Sequence, residues 1–305
     1  MSERLSYLSV ILGAACWGVI GVFVNYLYKW SFTPWQVVGI RVFVSALILF
    51  SFLLIFRPQL LKVRLRDIPY FIGTGIISIA FFNYCFFSVI EQANLSLAVV
   101  LLYTGPVFVT LISRVVFKEA LTIKKWAALA IMVVGCAFTV GLLPSAETAI
   151  TLLTVLTGLA SGFFYSLYTI FSKFIGHRYH SLTITAYSML LGTLFVLPTS
   201  ALWEKADLFI KPQVIINAAG LALISTIFAY LLYTAGLKGM ESSKAAMLAT
   251  IEPVVGIAIG VLFFRDVLTA WQGLGIVLLF SSILLTIQRQ PSNSFIQTKS
   301  PRSLN

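Results

Sequence analysis

Two ionisable side chains interrupt long apolar stretches of the sequence, and they are the first candidates for chemistry. Glu252 follows seven residues of the apolar stretch 245–264, and Arg41 follows seven residues of the stretch 34–56. At 1.5 Å of helical rise per residue, both would lie roughly 10 to 12 Å below the surface of a membrane that these stretches cross. A charge at the bilayer centre costs about 2.5 to 3.5 kcal/mol on insertion scales, so a functional role is the first hypothesis for each.

The chemistry of the two groups suggests complementary roles. Burial in an apolar medium disfavours the charged form of a carboxyl group, which makes Glu252 a candidate proton carrier or a counter-charge for a substrate amine. The alternative is a structural carboxyl that bonds the backbone freed by Pro253. The guanidinium of Arg41 can hold a carboxylate with two hydrogen bonds, which predicts an anion clamp. The alternative is a structural pin that bonds backbone carbonyls or extends to the membrane surface.

Polar aromatic residues and one asparagine at mid-depth of the apolar stretches form a second group of candidates. A phenol or amide that faces lipid lacks a partner, so most of them must face protein or a water-filled cavity. The group comprises Trp17, Asn83, Tyr84, Tyr103, Tyr165, Tyr168, Tyr187, Tyr230 and Tyr233. The members that we expect to bind a small amphipathic substrate are Trp17, Asn83, Tyr103, Tyr165 and Tyr230. Interhelical packing with satisfied hydroxyl groups is the alternative for each residue.

The elements that must position these residues are membrane-spanning helices. Of the 305 residues, 59% are hydrophobic and 10% are charged, whereas a soluble domain carries about 25% charged residues. This composition excludes soluble enzymes, secreted disulfide scaffolds and disordered chains. Each apolar stretch reaches the length of about 20 residues that a helix needs to cross a bilayer, and is too long for a barrel strand. The ten predicted spans are 5–28, 34–56, 68–90, 92–113, 126–146, 148–172, 181–203, 212–237, 245–264 and 267–288.

The basic residues predict the orientation of the chain. If the N-terminus is cytoplasmic, sixteen of the 21 lysines and arginines fall on the cytoplasmic side, and only Lys29, Lys205, Lys211 and Arg265 fall outside. The positive-inside rule therefore places both termini in the cytoplasm of a cell whose plasma membrane, the inner membrane in bacteria, holds the protein. The net charge of +11 is a topology signal, so we expect no nucleic-acid partner.

An internal repeat divides the chain into two units. Phe117-Lys118-Glu119-Ala120-Leu121-Thr122 recurs 147 positions later as Phe264-Arg265-Asp266-Val267-Leu268-Thr269. The same shift brings Pro106 onto Pro253, Trp17 onto Phe164 and Asn83 onto Tyr230. Five spans per unit is an odd number, so the second copy must cross the membrane upside down. Inverted repeats of this kind build many secondary transporters, because exchanging the conformations of the halves exchanges the side to which the centre opens.

These residues resemble a known family. Trp17-Gly18, Arg41, the prolines of spans four and nine, and the two acid-x-Leu-Thr signatures are similar to the ten-helix EamA branch of the drug/metabolite transporter superfamily over about residues 5–288. The resemblance implies an exporter of amino acids or other small metabolites, with a cavity enclosed by spans 1, 3, 4, 6, 8 and 9. Lys124-Lys125-Trp126 and Gly105 depart from the family pattern at positions that bear on substrate and coupling.

The resulting prediction is an all-α integral membrane protein with ten transmembrane helices in two inverted five-helix repeats. The first repeat is assigned to 1–146, the second to 147–288, and a disordered cytoplasmic tail to 289–305. We expect a secondary transporter that exports amphipathic metabolites, most simply amino acids, with proton coupling through Glu252. An intramembrane enzyme or a channel is the alternative.

The remaining signals concern bends, partners and cofactors. Pro106 and Pro253 each remove a backbone hydrogen bond and therefore predict bends in their helices. These bends could serve gating, and the alternative is that they are static kinks. Gly158 with Gly162, and Gly256 with Gly260, predict close helix packing inside the chain or in a homodimer. The cysteines and histidines lack the spacing of a metal site, and no phosphate-binding loop occurs, so neither a metal nor a cofactor is expected. The expected partners are a small-molecule substrate and lipid.

Overall fold

A computed structural model describes residues 2–143 and 151–287, and helices account for nearly all of this part of the chain. Nine of its helices are long and apolar enough to cross a membrane, and the shorter Ile123–Thr139 completes a set of ten. Labelled α1 to α10 in chain order, they are Glu3–Lys29, Pro34–Phe56, Leu65–Gln92, Leu95–Val116, Ile123–Thr139, Leu152–Ile175, Ser181–Ser200, Pro212–Leu237, Ser242–Phe264 and Ala270–Ile287. The all-helical fold with ten spans agrees with the sequence prediction. The predicted tail 289–305 and the predicted boundary between 146 and 147 lie outside the described residues.

Helix α5 ends earlier than the sequence predicts. The apolar stretch continues to 146, but the helix ends at Thr139. Gly141 takes the left-handed conformation with φ 73°, and its N–H donates to the carbonyl of Phe138. This is the usual way in which a glycine terminates a helix, because the conformation carries no steric penalty without a Cβ.

The packing of the ten helices reflects the repeat. Helix α1 packs along α8, and the repeat-related α6 packs along α3. Helix α2 packs along α7 and α5 along α10, so that each of these pairs joins one helix to its own counterpart. Exchanging the two halves therefore maps the main contacts onto one another, as expected for two interlocked units of opposite orientation.

Irregularities of the helices also recur in both halves. Helix α3 contains a π-helical segment at Gly73–Ala80, and α8 contains one at Leu223–Phe228. Helix α4 is broken between its segments Leu95–Leu102 and Gly105–Val116, and α9 between Ser242–Leu248 and Ile251–Ile259. Since π-helical segments and breaks disturb the regular hydrogen bonding of a helix, their recurrence indicates a shared structural plan.

The repeated signature forms one helix end and the next helix start. Lys118 and Arg265, its basic residues, have left-handed backbones with φ 57° and 61°. Thr122 then accepts a hydrogen bond from the N–H of Lys125, and Thr269 accepts one from the N–H of Gln272. The threonine thus caps the following helix in both copies, which explains why the spacing repeats so closely.

Small residues allow the close helix packing within the chain. Gly158 and Gly162 of α6 face α4, where a Cβ on Gly162 would lie 2.8 Å from the carbonyl oxygen of Leu101. Of the two glycine pairs predicted to favour close packing, Gly158 and Gly162 therefore pack inside the described chain, whereas a Cβ on Gly256 would meet only the carbonyl oxygen of Gly18, at 3.8 Å. Gly275 of α10 approaches α5 in the same way, because its Cβ would lie 2.5 Å from the backbone nitrogen of Thr139.

The contact of α5 with α10 generates a test of the packing. We expect Gly275→Val to lower the free energy of unfolding by about 1 to 3 kcal/mol, since the added side chain must displace backbone. The matched control is Gly273→Val in the same helix, where a Cβ meets no atom within 4 Å. Thermal unfolding of the purified proteins in detergent measures the difference. Equal losses in both variants would contradict this packing.

Candidate functional site

A central cavity of about 390 Å³ lies among the helices and opens to one side of the bundle. Its wall comes mainly from four segments, which are the second half of α1, the first half of α2, the second half of α3 and the first half of α4, and one residue each of α6, α8 and α9 completes it. These four segments all lie toward the face of the bundle opposite the N-terminus, here called the distal face. The cavity therefore opens at the distal face and is closed toward the N-terminal face. Its volume falls in the range of small-molecule sites.

The cavity brings together the seven side chains that the sequence proposed for substrate binding and coupling. Its lining includes Trp17, Arg41, Asn83, Tyr103, Tyr165, Tyr230 and Glu252. The six spans implied by the family resemblance do not include α2, yet α2 contributes Arg41, Val37 and Val38 to the wall. Helix α2 thus takes a direct part in the site. The charge of Arg41 within an apolar stretch was the sequence signal for this role.

Arg41 lies in the wall as a buried cation with spare hydrogen-bonding capacity. Arg41 is only 8% exposed, and its Nε has no hydrogen-bond partner in the described part of the chain. Among the described residues no salt bridge joins Arg41 to an acid. A buried guanidinium with an unpaired N–H can donate to an anionic group, which it holds by charge-assisted hydrogen bonds.

Glu252 reaches the cavity because α9 is broken beside it. The break at Ala249 and Thr250 places Glu252 in the first turn of the segment Ile251–Ile259. Unsatisfied N–H groups give a helix N-terminus a partial positive charge, which favours a carboxylate there. Tyr103 lies at the corresponding break of α4, and its hydroxyl is within hydrogen-bonding reach of the Glu252 carboxyl. The two broken helices thereby present a phenol and a carboxyl to one cavity.

The two prolines lie at these breaks and do not line the cavity. Pro106 is in the first turn of Gly105–Val116, and Pro253 is in the first turn of Ile251–Ile259. The first N–H groups of a helix have no partner within it, so a proline there removes no helical hydrogen bond. The prolines therefore favour a new helical start after each break. Their use as hinges stays a prediction.

Aromatic rings close the cavity toward the N-terminal face. The rings of Trp17 and Tyr230 meet edge to face with centroids 5.1 Å apart, and Tyr168 meets Tyr230 at 4.8 Å. Below them the hydroxyl groups of Tyr168 and Tyr233 form hydrogen bonds to Thr234 and Thr169, at 2.9 and 2.7 Å. Tyr168 and Tyr233 thus have satisfied hydroxyls between helices, which is the alternative considered for this group of residues.

Polar contacts, both between the halves and within the second half, hold the N-terminal face closed. Lys125 forms a salt bridge with Glu241 at 3.1 Å, and Lys173 donates to the carbonyl of Leu237 at 2.9 Å. Glu119 accepts hydrogen bonds from the first turn of α9. These links join the α4–α5 connection and the end of α6 to the α8–α9 connection.

The remaining residues of the cavity wall were not among the sequence predictions. Helix α1 contributes Gly21, Asn25 and Tyr28, which share one helical face at intervals of four and three residues. Asn25 is an amide inside an apolar stretch, and this was a signal that could have identified it. The phenylalanines of α3 that complete the wall give no such signal, because they are typical of any membrane helix.

Comparison with known proteins places the chain among transporters. The family model described as EamA-like transporter family matches residues 4–141 and again 152–288. An uncharacterized transporter of Archaeoglobus fulgidus is 26% identical, with 92% of this chain and 96% of that protein covered. The threonine/homoserine exporter RhtA of Salmonella typhimurium is 25% identical, with 86% of each chain covered.

A solved crystal structure shares the fold. It superposes with a TM-score of 0.76 at 14% sequence identity and covers 94% of this chain and 97% of the other. The family model matches the chain twice, and the two matched ranges correspond to the two halves that the helix packing relates to each other. The chain is therefore a multi-pass membrane protein and a transporter, not an enzyme, and it belongs to the EamA-like transporter family.

Proposed function

We propose that this transporter exports small zwitterionic metabolites, amino acids foremost, across the plasma membrane by alternating access. The observation that carries the proposal is the separation of two opposite charges in one cavity. Arg41 and Glu252 both line the cavity, yet no salt bridge joins them. An amino acid carries a carboxylate for the guanidinium and an ammonium group for the carboxyl, so it would bridge the two.

The walls between the charges suit an amphipathic side chain. Trp17, Tyr165 and Tyr230 supply aromatic faces, and Asn83 supplies an amide. Aromatic faces attract both apolar groups and cations, so a range of amino-acid side chains would be accepted. The name of the relative RhtA, a threonine/homoserine exporter, supports the same substrate class.

The direction of opening follows from the assigned orientation. Under the positive-inside rule the N-terminal face is cytoplasmic, and the cavity then opens to the outside. Such a conformation is the one from which an exporter releases its substrate. Both termini are accordingly proposed to lie in the cytoplasm.

The proposal allows two alternative roles for Glu252, and an experiment distinguishes them. As a proton carrier it would exchange its proton with the outside when the cavity is open and release the substrate amine on protonation. As a fixed counter-charge it would hold the amine without changing its protonation. The hydroxyl of Tyr103 beside it is compatible with either form, because a phenol both donates and accepts.

Substrate binding should require both charges of the ligand. We expect a thermal-shift screen of the purified protein to show stabilisation by an amino acid, because only the zwitterion satisfies Arg41 and Glu252 together. The matched ligands are the amine that lacks its carboxylate and the acid that lacks its amino group. Equal stabilisation by all three, or stabilisation by nucleosides alone, would reject the zwitterion proposal.

Arg41→Lys tests the carboxylate clamp. A lysine keeps the charge but loses the two-pronged geometry, so we expect the apparent KM for the amino acid to rise about tenfold with normal expression. Arg57→Lys, at the end of α2 outside the cavity, is the control and should leave KM unchanged. Loss of folded protein in Arg41→Lys would instead support the structural pin.

Glu252→Gln distinguishes the two roles of the carboxyl. If Glu252 carries the coupling proton, uptake into proteoliposomes should lose its pH dependence while exchange of substrate for substrate continues. Glu204→Gln, in the exposed connection between α7 and α8, is the matched control. Unchanged pH dependence in Glu252→Gln would reject the proton-carrier role, and a raised KM for the amine would favour the counter-charge.

A further inference from the structure

The acidic residues of the two repeated signatures have the same local structure. The N–H of Glu119 donates to the carbonyl of Ser113, and the N–H of Asp266 donates to the carbonyl of Gly260, each at 3.2 Å. In each copy the preceding basic residue has a left-handed backbone. Ser113 and Gly260 are themselves separated by the 147 residues of the repeat. Each acid is therefore presented at the end of its helix by an equivalent turn.

The long-range contacts of the two acids differ completely. The Glu119 carboxylate accepts hydrogen bonds from the N–H groups of Ser242 and Ser243, at 2.6 and 3.1 Å, and from the Ser243 hydroxyl at 2.6 Å. It thereby ties the end of α4 to the start of α9, and both serines are fully buried. Asp266 is exposed at the distal face beside Tyr28 and Lys29. No hydrogen bond or salt bridge holds its carboxylate in the described part of the chain.

The repeat identifies the partners that Asp266 would have in the exchanged arrangement. The residues 147 positions before Ser242 and Ser243 are Leu95 and Ser96, the first two residues of α4. Leu95 is 57% exposed and lines the open cavity. The hydroxyl of Ser96 now donates to the Val140 carbonyl, and it corresponds to the Ser243 hydroxyl that binds Glu119.

The packing of α4 and α9 has the same asymmetry. At the N-terminal face the second half of α4 packs against the first half of α9. The repeat-related pair, the first half of α4 and the second half of α9, has no comparable packing in the described chain, and here the first half of α4 lines the cavity instead. One end of the same helix pair is therefore closed and the other is open.

We propose that Glu119 and Asp266 are alternating latches of the transport cycle. Glu119 holds the start of α9 and closes the N-terminal face. In the opposite conformation Asp266 accepts hydrogen bonds from the N–H groups of Leu95 and Ser96 and from the Ser96 hydroxyl, and closes the distal face. This inference rests on the alternating access of the proposed function and names the residues that carry it.

The strength of such a latch follows from its chemistry. A carboxylate at a helix N-terminus gains from the partial positive charge of the unpaired N–H groups, and hydrogen bonds to a charged acceptor are among the stronger ones. Loss of one latch should therefore shift the ratio of the two conformations by roughly tenfold or more. A transporter must keep the populations of its two conformations comparable if it is to visit both of them.

The experiment follows the conformation directly by labelling a cysteine in the cavity wall. Val24→Cys, on the distal half of α1, is placed in a chain whose Cys16, Cys85 and Cys136 are replaced by alanine. The rate of its reaction with a membrane-impermeant maleimide reports how open the distal face is. Glu119→Ala should slow the labelling severalfold, because the N-terminal latch is lost. Asp266→Ala should leave labelling as fast or make it faster, while counterflow of L-threonine falls at least tenfold.

Conservative variants and a neutral control keep the result specific. Asp266→Glu gives the second signature the glutamate that the first signature has at Glu119. This variant should keep the wild-type labelling rate and wild-type transport. Asp207→Ala removes an exposed acid from the α7–α8 connection and should change neither. If Glu119→Ala does not yield monodisperse protein, Glu119→Gln, which weakens the same bonds, replaces it.

The outcomes separate the latch from the substrate proposal. Slower labelling in Glu119→Ala together with unchanged or faster labelling in Asp266→Ala supports the latches even if L-threonine is not transported, since labelling needs no substrate. Labelling of Glu119→Ala at or above the wild-type rate, or slower labelling in Asp266→Ala, would overturn the proposal. Wild-type transport by Asp266→Ala would overturn it as well.

Discussion

The cost of an unpaired charge in hydrocarbon constrains every other feature of this protein. Arg41 and Glu252 can lie within membrane helices only if the bundle encloses a space for them away from lipid. The ten helices provide that space by leaving a cavity between the halves, and the breaks in α4 and α9 direct polar groups into it. Broken helices are tolerated at membrane depth where they line a cavity, so the same constraint explains why the irregular backbone is found beside the site.

The duplication of the chain gives the two ends of this arrangement related local structures. The local turns, caps and helix breaks recur in both halves, whereas the contacts that close the N-terminal face have no equivalent at the distal face among the described residues. The structure thus shows one end of the bundle closed and the other open, and in the proposed transport cycle the repeat would provide equivalent contacts at each end in turn. A small free-energy difference between two packings of this kind is the basis of alternating access.

Much of the fold could be predicted from the sequence, because lipid leaves few choices for an apolar stretch of 20 residues. The polar side chains of the cavity could also be predicted, since Trp17, Tyr230 and Glu252 have few acceptable places in a membrane helix. The early end of α5 and the π-helical segments could not, because they depend on single backbone conformations such as that of Gly141. The unequal contacts of Glu119 and Asp266 were also beyond prediction, since their local sequences are nearly equivalent and only the global conformation distinguishes them.

The most direct test of the central claim is the distance across the distal mouth in solution. Spin labels on Leu95 and Phe263, both exposed, report the separation of the first half of α4 from the second half of α9. If the halves exchange their conformations, pulsed electron paramagnetic resonance should show a long and a short distance, whose ratio changes when an amino acid is added. One long distance that is the same with and without substrate would contradict the account.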